Sequence, residues 1–265
     1  MKKYVLITGA GGGMGNAALK LMRDKGYRVF ALDKRSVDEE ENVIPIEADV
    51  TSEESMLSAF EKVKEKTDSL YAIIHFAGIY MLDSLLEIDS NDFKRIFDVN
   101  LCGAFLVNKT FMPLLTSESR ILIITSELAT IDPLPFTGIY AITKAALDRY
   151  AYSLRMELQL LGISVSVLRA GAVDTGMITV STDALDKFIE KTKLYSCNAE
   201  RFKGIVNKVE ARSISSEKLA RKAISIIEKR RPKFAYSINR NKLLCLYGAL
   251  PNFLQLFAIR KILKK

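Results

Sequence analysis

Histidine is almost missing from this chain: His75 is the only one in 265 residues, and there is no tryptophan. A histidine-based triad is therefore confined to one position, and a site needing several imidazole ligands is excluded. Cysteine is scarce too. Cys102, Cys197 and Cys245 are scattered without metal-ligand spacing, and an odd, dispersed set suits a reducing cytoplasm better than a disulfide framework. The expected location is cytoplasmic, because Met1-Lys2-Lys3-Tyr4 passes straight into a strand pattern too short for a signal peptide and interrupted by Thr8-Gly9. Long apolar runs are also lacking. The longest uncharged stretch, residues 243–259, falls short of a membrane span of ~20 residues, and Gly248, Pro251, Asn252 and Gln255 interrupt it. Six prolines, 49% hydrophobic residues and no low-complexity tract argue against disorder over most of the length.

What is present suits one large α/β domain over residues 1–265. The charge is lopsided: residues 201–265 hold 17 Lys+Arg against 3 Asp+Glu, and the first 200 hold 22 against 28, which gives the net +8. A basic C-terminal part is compatible with nucleic acid, an anionic membrane surface or an acidic ligand, but a solvated helical face is the ordinary explanation, and no nucleic-acid partner is expected.

Strand and helix patterns alternate from the start. Nearly continuous, β-branched runs at residues 4–8, 28–33, 43–49, 70–77, 120–126 and 163–169 read as buried parallel strands, with a last one near 233–237. Between them, helical periodicity covers 14–25, 53–66, 91–115 and 137–161, and resumes at 216–230. Ser52, followed by Glu53, Glu54 and Ser55, suits a helix start; Gly26 and Gly162 stand where helices stop. The alternation predicts a single doubly wound, Rossmann-type parallel sheet of about seven strands with helices on both faces. Residues 175–213 are polar and weakly periodic, as a substrate lid or binding loop would be, and 239–265 form a C-terminal helical tail. In that tail Leu243, Leu244, Leu246, Leu250, Phe253, Leu256 and Phe257 precede Arg260, Lys261, Lys264 and Lys265. Such a helix either closes over an apolar pocket or lies on a membrane surface; the expectation is pocket closure, with weak peripheral membrane contact beside it.

The chemistry sits in two places. Strand-like Tyr4-Val5-Leu6-Ile7 runs into Thr8-Gly9-Ala10-Gly11-Gly12-Gly13-Met14-Gly15, which opens a helix. Glycines there allow a tight turn and let the backbone approach a pyrophosphate lying on the helix N-terminus. Asp33 ends the second strand 18 residues after Gly15, where an acid hydrogen-bonds ribose hydroxyls and repels a 2′-phosphate; Lys34 and Arg35 offset that repulsion, and NAD(H) is expected over NADP(H). Further on, Tyr140 and Lys144 share a helical face. With 10 Tyr and 24 Lys, chance supplies about one Tyr-x-x-x-Lys per chain of this size, so order and context carry the weight. A cation beside the phenol would favour phenolate and ease proton transfer at a substrate oxygen.

In that order these residues resemble the short-chain dehydrogenase/reductase family, over essentially the whole length. Thr8, Gly9, Gly13 and Gly15 fit its Thr-Gly-x-x-x-Gly-x-Gly, Ala77-Gly78 the second half of its Asn-Asn-Ala-Gly, and Gly171 and Thr175 its Pro-Gly-x-x-x-Thr. The resemblance implies that Asp49 and Val50 contact adenine, that Met14, Val173 and Thr175 contribute to the cofactor site, and that Asn100 supports a proton-relay water. It further implies that Ser126 orients the substrate oxygen, that Tyr140 exchanges its proton, and that Lys144 tunes Tyr140 and binds the nicotinamide ribose. A homodimer or homotetramer through the helices at 91–115 and 137–161 is implied as well. The expected activity is hydride transfer between a nicotinamide cofactor and a secondary alcohol or ketone, with a small-molecule, steroid- or lipid-like substrate favoured by the apolar tail; the alternative is an NAD(H)-binding regulator without turnover. Four features depart from the family pattern. His75-Phe76 replaces two asparagines, and Ala170 replaces a proline. Ser126 precedes Tyr140 by fourteen residues instead of thirteen, which places an extra residue in the loop with Asp132, Pro133 and Pro135. Thr8-Gly9-x-x-Gly12-x-x-Gly15 also fits the extended, epimerase-type pattern, for which the chain leaves no room.

Overall fold

Seven parallel strands form the centre of the molecule, running from one edge to the other as residues 43–47, 28–33, 4–8, 70–75, 115–126, 164–170 and 235–238. The structure is a computed structural model and describes residues 3–174, 177–210 and 213–264. In chain order the elements are β1 (Tyr4–Thr8), α1 (Gly13–Asp24), β2 (Arg28–Asp33), β3 (Val43–Glu47), α2 (Glu53–Lys64), β4 (Leu70–His75), α3 (Ser90–Phe97), α4 (Gly103–Phe111), β5 (Leu115–Ser126) and α5 (Gly138–Leu158). There follow β6 (Ser164–Ala170), β7 (Val173–Asp174), α6 (Met177–Lys191), α7 (Ser196–Glu210), β8 (Ile214–Ser215), α8 (Ser216–Ile227), β9 (Ala235–Ile238), α9 (Lys242–Gly248) and α10 (Asn252–Leu263). Short β7 and β8 pair with each other outside the main sheet.

The strand cores Val5, Leu6, Ile7 and Ala72, Ile73, Ile74 are fully buried, because helices cover both faces. On one face Ala18, Met22, Ala220 and Ile224 from α1 and α8 pack on the sheet; on the other Met56, Val107, Phe111, Leu147 and Ala151 from α2, α4 and α5 do so. Helix boundaries follow local chemistry. The Ser52 side chain accepts from Ser55 N–H at the start of α2, and Gly26 and Gly162 take φ of 82° and 77° just past helix ends.

Three expectations change. The helix expected over 91–115 is broken by a π-helical turn at Asp98–Cys102 that sets Asn100 into the interior. Such a turn inserts a residue into the helix and re-aims the side chain it carries. Residues 177–210, read as a lid or loop, are two helices. Leu185 and Phe188, and Ala199 and Phe202, lie three apart and bury together with Leu82 and Leu263; a stripe only two turns long, diluted by Lys, Thr and Ser, is too weak to register as periodicity. The tail is helical as expected, but Leu263 turns inward while Phe253, Leu256 and Phe257 remain exposed, so most of its apolar side chains do not close the pocket.

Candidate active site

Parallel strand order reverses between β1 and β4, and a crevice opens at their carboxyl ends. The glycine loop follows β1 there. Gly9 has φ +69°, and a Cβ on it would lie 2.6 Å from Ala77 N; one on Gly15 would lie 2.1 Å from Gly9 O. These contacts explain why glycine is required at both positions: the loop folds on itself and against the turn after β4. Gly12 N–H donates to Gly9 O at 3.1 Å, and Gly13 begins α1, whose second residue, Met14, lines the crevice. That glycine-built backbone cradle fits a pyrophosphate.

Asp33 is buried at the end of β2. Its Oδ2 accepts from Gly11 N–H at 2.9 Å and its Oδ1 from Arg35 N–H at 3.0 Å, which fixes the carboxylate under the loop. The two basic neighbours are engaged: Arg35 lies 3.7 Å from Asp33, and Lys34 pairs with Asp49 at 3.0 Å. Hydrogen bonds from Thr51, backed by Lys34, hold the Asp49 carboxyl down at about 2. Val50 is buried beneath α4, where a Cβ on Gly103 would lie 2.8 Å from its Cγ2. Ala77 N–H donates to Thr8 Oγ1 at 3.3 Å, which ties the β4 turn to the glycine loop.

The catalytic candidates meet on one wall of a cavity of about 260 Å³. Ser126 closes β5 beside the Tyr140 phenol, and its Oγ accepts from Leu128 N–H at 3.2 Å; Tyr140 and Lys144 stand one turn apart on α5. Lys144 Nζ lies 5.7 Å from the Tyr140 ring centroid, 3.5 Å from Ile124 O, and 3.3 Å from where a Cβ of Gly78 would be. Any residue but glycine at 78 would therefore crowd the ammonium. Asn100 is saturated: Ile79 N–H donates to its Oδ1 at 2.8 Å, and its Nδ2 donates to Ile79 O at 3.0 Å and to Thr143 Oγ1 at 3.1 Å. Thr143 in turn donates to Tyr140 O at 2.8 Å, so Asn100 joins the turn after β4 to the catalytic helix. The extra residue between Ser126 and Tyr140 does not separate them; the loop between them takes a left-handed Phe136 (φ 67°), whose ring packs on Phe188, Tyr195 and Phe202.

Electrostatics run opposite to the simple expectation. Burial pushes the Tyr140 phenol up to about 12, partly opposed by the neighbouring Ser126 hydroxyl, and pulls the Lys144 ammonium down to about 8. Desolvation penalises both charged forms, and the ammonium lies over the Tyr140 ring.

Met14, Gly78 and Val173 line the same cavity as Ser126, Tyr140 and Lys144; Thr175 lies outside the described residues. Two liners, Tyr80 and Glu127, went unnoticed in the sequence, while Phe202 falls in the stretch read as a lid and Leu244 in the tail read as closing the pocket. Tyr80 meets Tyr140 edge-on at 4.9 Å, Phe202 comes from α7, Leu244 from α9, and Glu127 directly follows Ser126. Buried Glu127 accepts from Asn241 N–H at 2.7 Å, and burial raises its pKa. Only its adjacency to Ser126 could have flagged it. The cavity's outer part, with Leu128, Leu134, Ile205 and Val206, is apolar. His75 instead points into the core, its Nε2 2.9 Å from Asn108 Oδ1, and takes no part in this site.

A family profile described as short chain dehydrogenase matches residues 3–186. Estradiol 17-beta-dehydrogenase 2 of Mus musculus is 35% identical over 198 residues, covering 70% of this chain and 52% of that protein. NADPH-dependent 1-acyldihydroxyacetone phosphate reductase of Schizosaccharomyces pombe is 32% identical over 181 residues, covering 66% and 61%. The chain thus matches little more than half the length of these relatives. Among solved structures, 3-ketoacyl-(acyl-carrier-protein) reductase from Brucella melitensis, complexed with NADH, superposes with a TM-score of 0.72 at 20% identity, over 89% of this chain and 96% of that one.

Proposed function

The chain belongs to the short-chain dehydrogenase family, and on that footing we propose that it is an oxidoreductase moving a hydride between NAD(H) and a secondary alcohol or ketone on an apolar carbon frame. One observation carries this reading: Ser126, Tyr140 and Lys144 converge on a cavity that also reaches Met14 of the glycine loop and opens outward between apolar side chains. A bound nicotinamide supplies the hydride donor or acceptor. The chain's own residues do the rest. The glycine loop and the α1 N-terminus hold the pyrophosphate, and Asp33 takes the adenosine ribose hydroxyls. Ser126 Oγ and the Tyr140 hydroxyl, on the wall of one cavity, both hydrogen-bond the substrate oxygen. Tyr140 gives that oxygen a proton on reduction and takes one on oxidation. Lys144 binds the nicotinamide ribose, while Asn100 holds the α5 backbone in register through Thr143.

NAD(H) is the favoured cofactor because Asp33 is fixed by two backbone amides where a 2′-phosphate would fall, and both neighbouring cations are paired. Residues 175–213 serve as the lid, with Phe202, Ile205 and Val206 covering the apolar end of the cavity. Exposed Phe105, Tyr152, Met156 and Leu160 on and just after α4 and α5 support a homodimer or homotetramer through those helices.

The test is a panel of alcohols and ketones followed by NADH absorbance, with wild type and Tyr140→Phe. Turnover on the wild type and a loss of ~10²–10⁴ in the variant, with NADH binding retained, is expected. NADH binding without turnover on any substrate would replace this reading with a dinucleotide-sensing role.

A further inference from the structure

Beyond the family match, which ends at residue 186, the tail carries a surface of its own. Its inner side is anchored. Gln255 Nε2 donates to Asp132 Oδ2 and to Leu250 O, each at 2.9 Å; Asn198 Nδ2 donates to Leu263 O at 2.6 Å, and Gly248 sits tight on Ile131. Leu244 of α9 reaches the active-site cavity, and Glu127 accepts from the N–H of Asn241, the residue that caps α9. α9 is therefore held beside the cavity, and α10 is anchored on the protein next to it in the chain.

Their outer side is apolar and has no cover. Leu243, Leu246, Phe253, Leu256 and Phe257 are 63–70% exposed. On α10 the positions Phe253, Leu256, Phe257, Arg260 and Lys261 follow the spacing i, i+3, i+4, i+7, i+8, a single helix face that begins aromatic and ends cationic, with Lys264 just past its end. Phe257, Arg260, Lys261 and Lys264 line one surface depression. After Glu228 the chain carries ten Lys and Arg and no Asp or Glu. Among the described residues no acid pairs with Lys242, Arg260, Lys261 or Lys264. Bulky apolar side chains flanked by unneutralised cations complement an anionic bilayer, where the apolar groups enter the acyl boundary and the cations meet phosphates. No helix among the described residues is long and apolar enough to cross a membrane, so the contact lies in the interface.

We propose that α9 and α10 dock the protein on an anionic phospholipid surface, with Leu243 and Leu246 placing the Leu244 side of the cavity mouth against the lipid. Resting on the oxidoreductase reading, this adds that the alcohol or ketone is a membrane-dissolved one, entering from the bilayer.

The experiment is co-sedimentation of the full chain with vesicles of phosphatidylcholine alone or mixed with phosphatidylserine. Two variants accompany it: Phe253→Ser with Leu256→Ser and Phe257→Ser, and Arg260→Gln with Lys261→Gln and Lys264→Gln. Every substituted side chain is exposed, and unchanged melting temperatures would verify folding. Wild type should pellet with the mixed vesicles and release in high salt. The cation variant should bind on the order of a hundredfold more weakly, since each cation near such a surface contributes about fivefold. The apolar variant should lose binding too. Wild type left in the supernatant, or either variant binding like wild type, overturns the proposal. So does a wild-type oligomer that the apolar variant dissolves while vesicle binding is absent, which would assign the face to a second copy. Turnover separates the two readings: if docking is right, both variants keep wild-type rates on small water-soluble substrates and lose rate only on substrate carried in vesicles. Absent turnover with intact vesicle binding would remove the enzymatic reading and leave the docking in place.

Discussion

Lowering the pH should destabilise this fold through one residue that can be watched alone. His75 ends β4 in the core, 4% exposed, with Nε2 donating to Asn108 Oδ1 at 2.9 Å while Asn108 Nδ2 donates to the Tyr150 hydroxyl at 3.2 Å. Burial pulls its pKa from 6.5 to about 4, partly opposed by the Asn108 bond. The native state therefore wants the neutral imidazole, and the unfolded chain protonates first. The stabilisation is complete above the unfolded value of 6.5, shrinks as the pH falls, and is gone near 4. At 1.36 kcal/mol per pH unit, that displacement is worth about 3 kcal/mol, a large part of a typical domain's 5–15. Urea unfolding of wild type and His75→Gln, measured from about pH 7 down to about pH 4, isolates it, because carboxylates titrate alike in both. Gln keeps an amide donor and cannot charge. Its stability should fall less by about 3 kcal/mol across the window. Parallel curves would refute the argument, as would a native-state imidazole resonance that titrates near its ordinary value. With one histidine in the chain, that resonance needs no assignment.

Two further outcomes follow from the site. Asp33→Ala should shift preference from NAD(H) toward NADP(H) by roughly tenfold or more, the worth of one charge-assisted contact, and frees Arg35 to meet a 2′-phosphate; unchanged kcat/KM for both cofactors would show that Asp33 does not decide the choice. Because burial keeps Tyr140 a phenol up to about 12, alcohol oxidation, which needs the proton acceptor, should quicken by up to about tenfold per pH unit between about pH 7 and 9, while ketone reduction, which needs the donor, should not. A flat oxidation profile over that range would mean that proton transfer bypasses the phenol.

How much of this could be read from sequence divides along physical lines. The boundaries of β1 and β2 match their apolar runs residue for residue, because a strand buried on both faces must be apolar throughout and stops where a glycine or acid begins. The glycine loop was legible for a similar reason. At Gly9 and Gly15 a side chain would collide with backbone, so residue type reports geometry directly. Lid and tail were not so legible. α6 and α7 bury only short stripes against Leu82 and Leu263, which are distant in the chain, so their helicity comes from tertiary packing that local periodicity cannot report. In the tail, apolar composition was read as a drive toward burial, whereas Gln255 and Leu263 are the inward residues and the Phe and Leu residues face out.

The pairing of Tyr140 with Lys144 marks the limit of motif reading. Spacing of four says that the two share a helix face, and they do. It does not say where along that face the charges end. A phenol is driven toward phenolate only by a cation near its oxygen, and here the ammonium lies over the ring and donates to Ile124 O at 3.5 Å. With desolvation acting on both groups, the wall of the cavity holds a proton on Tyr140 and loosens one on Lys144. On the proposed reading Tyr140 is the proton carrier, and its resting state is set by the burial that β5, the turn after β4 and α5 impose together. In that state Tyr140 is ready to donate, which suits reduction at neutral pH without any prior charge separation in the site.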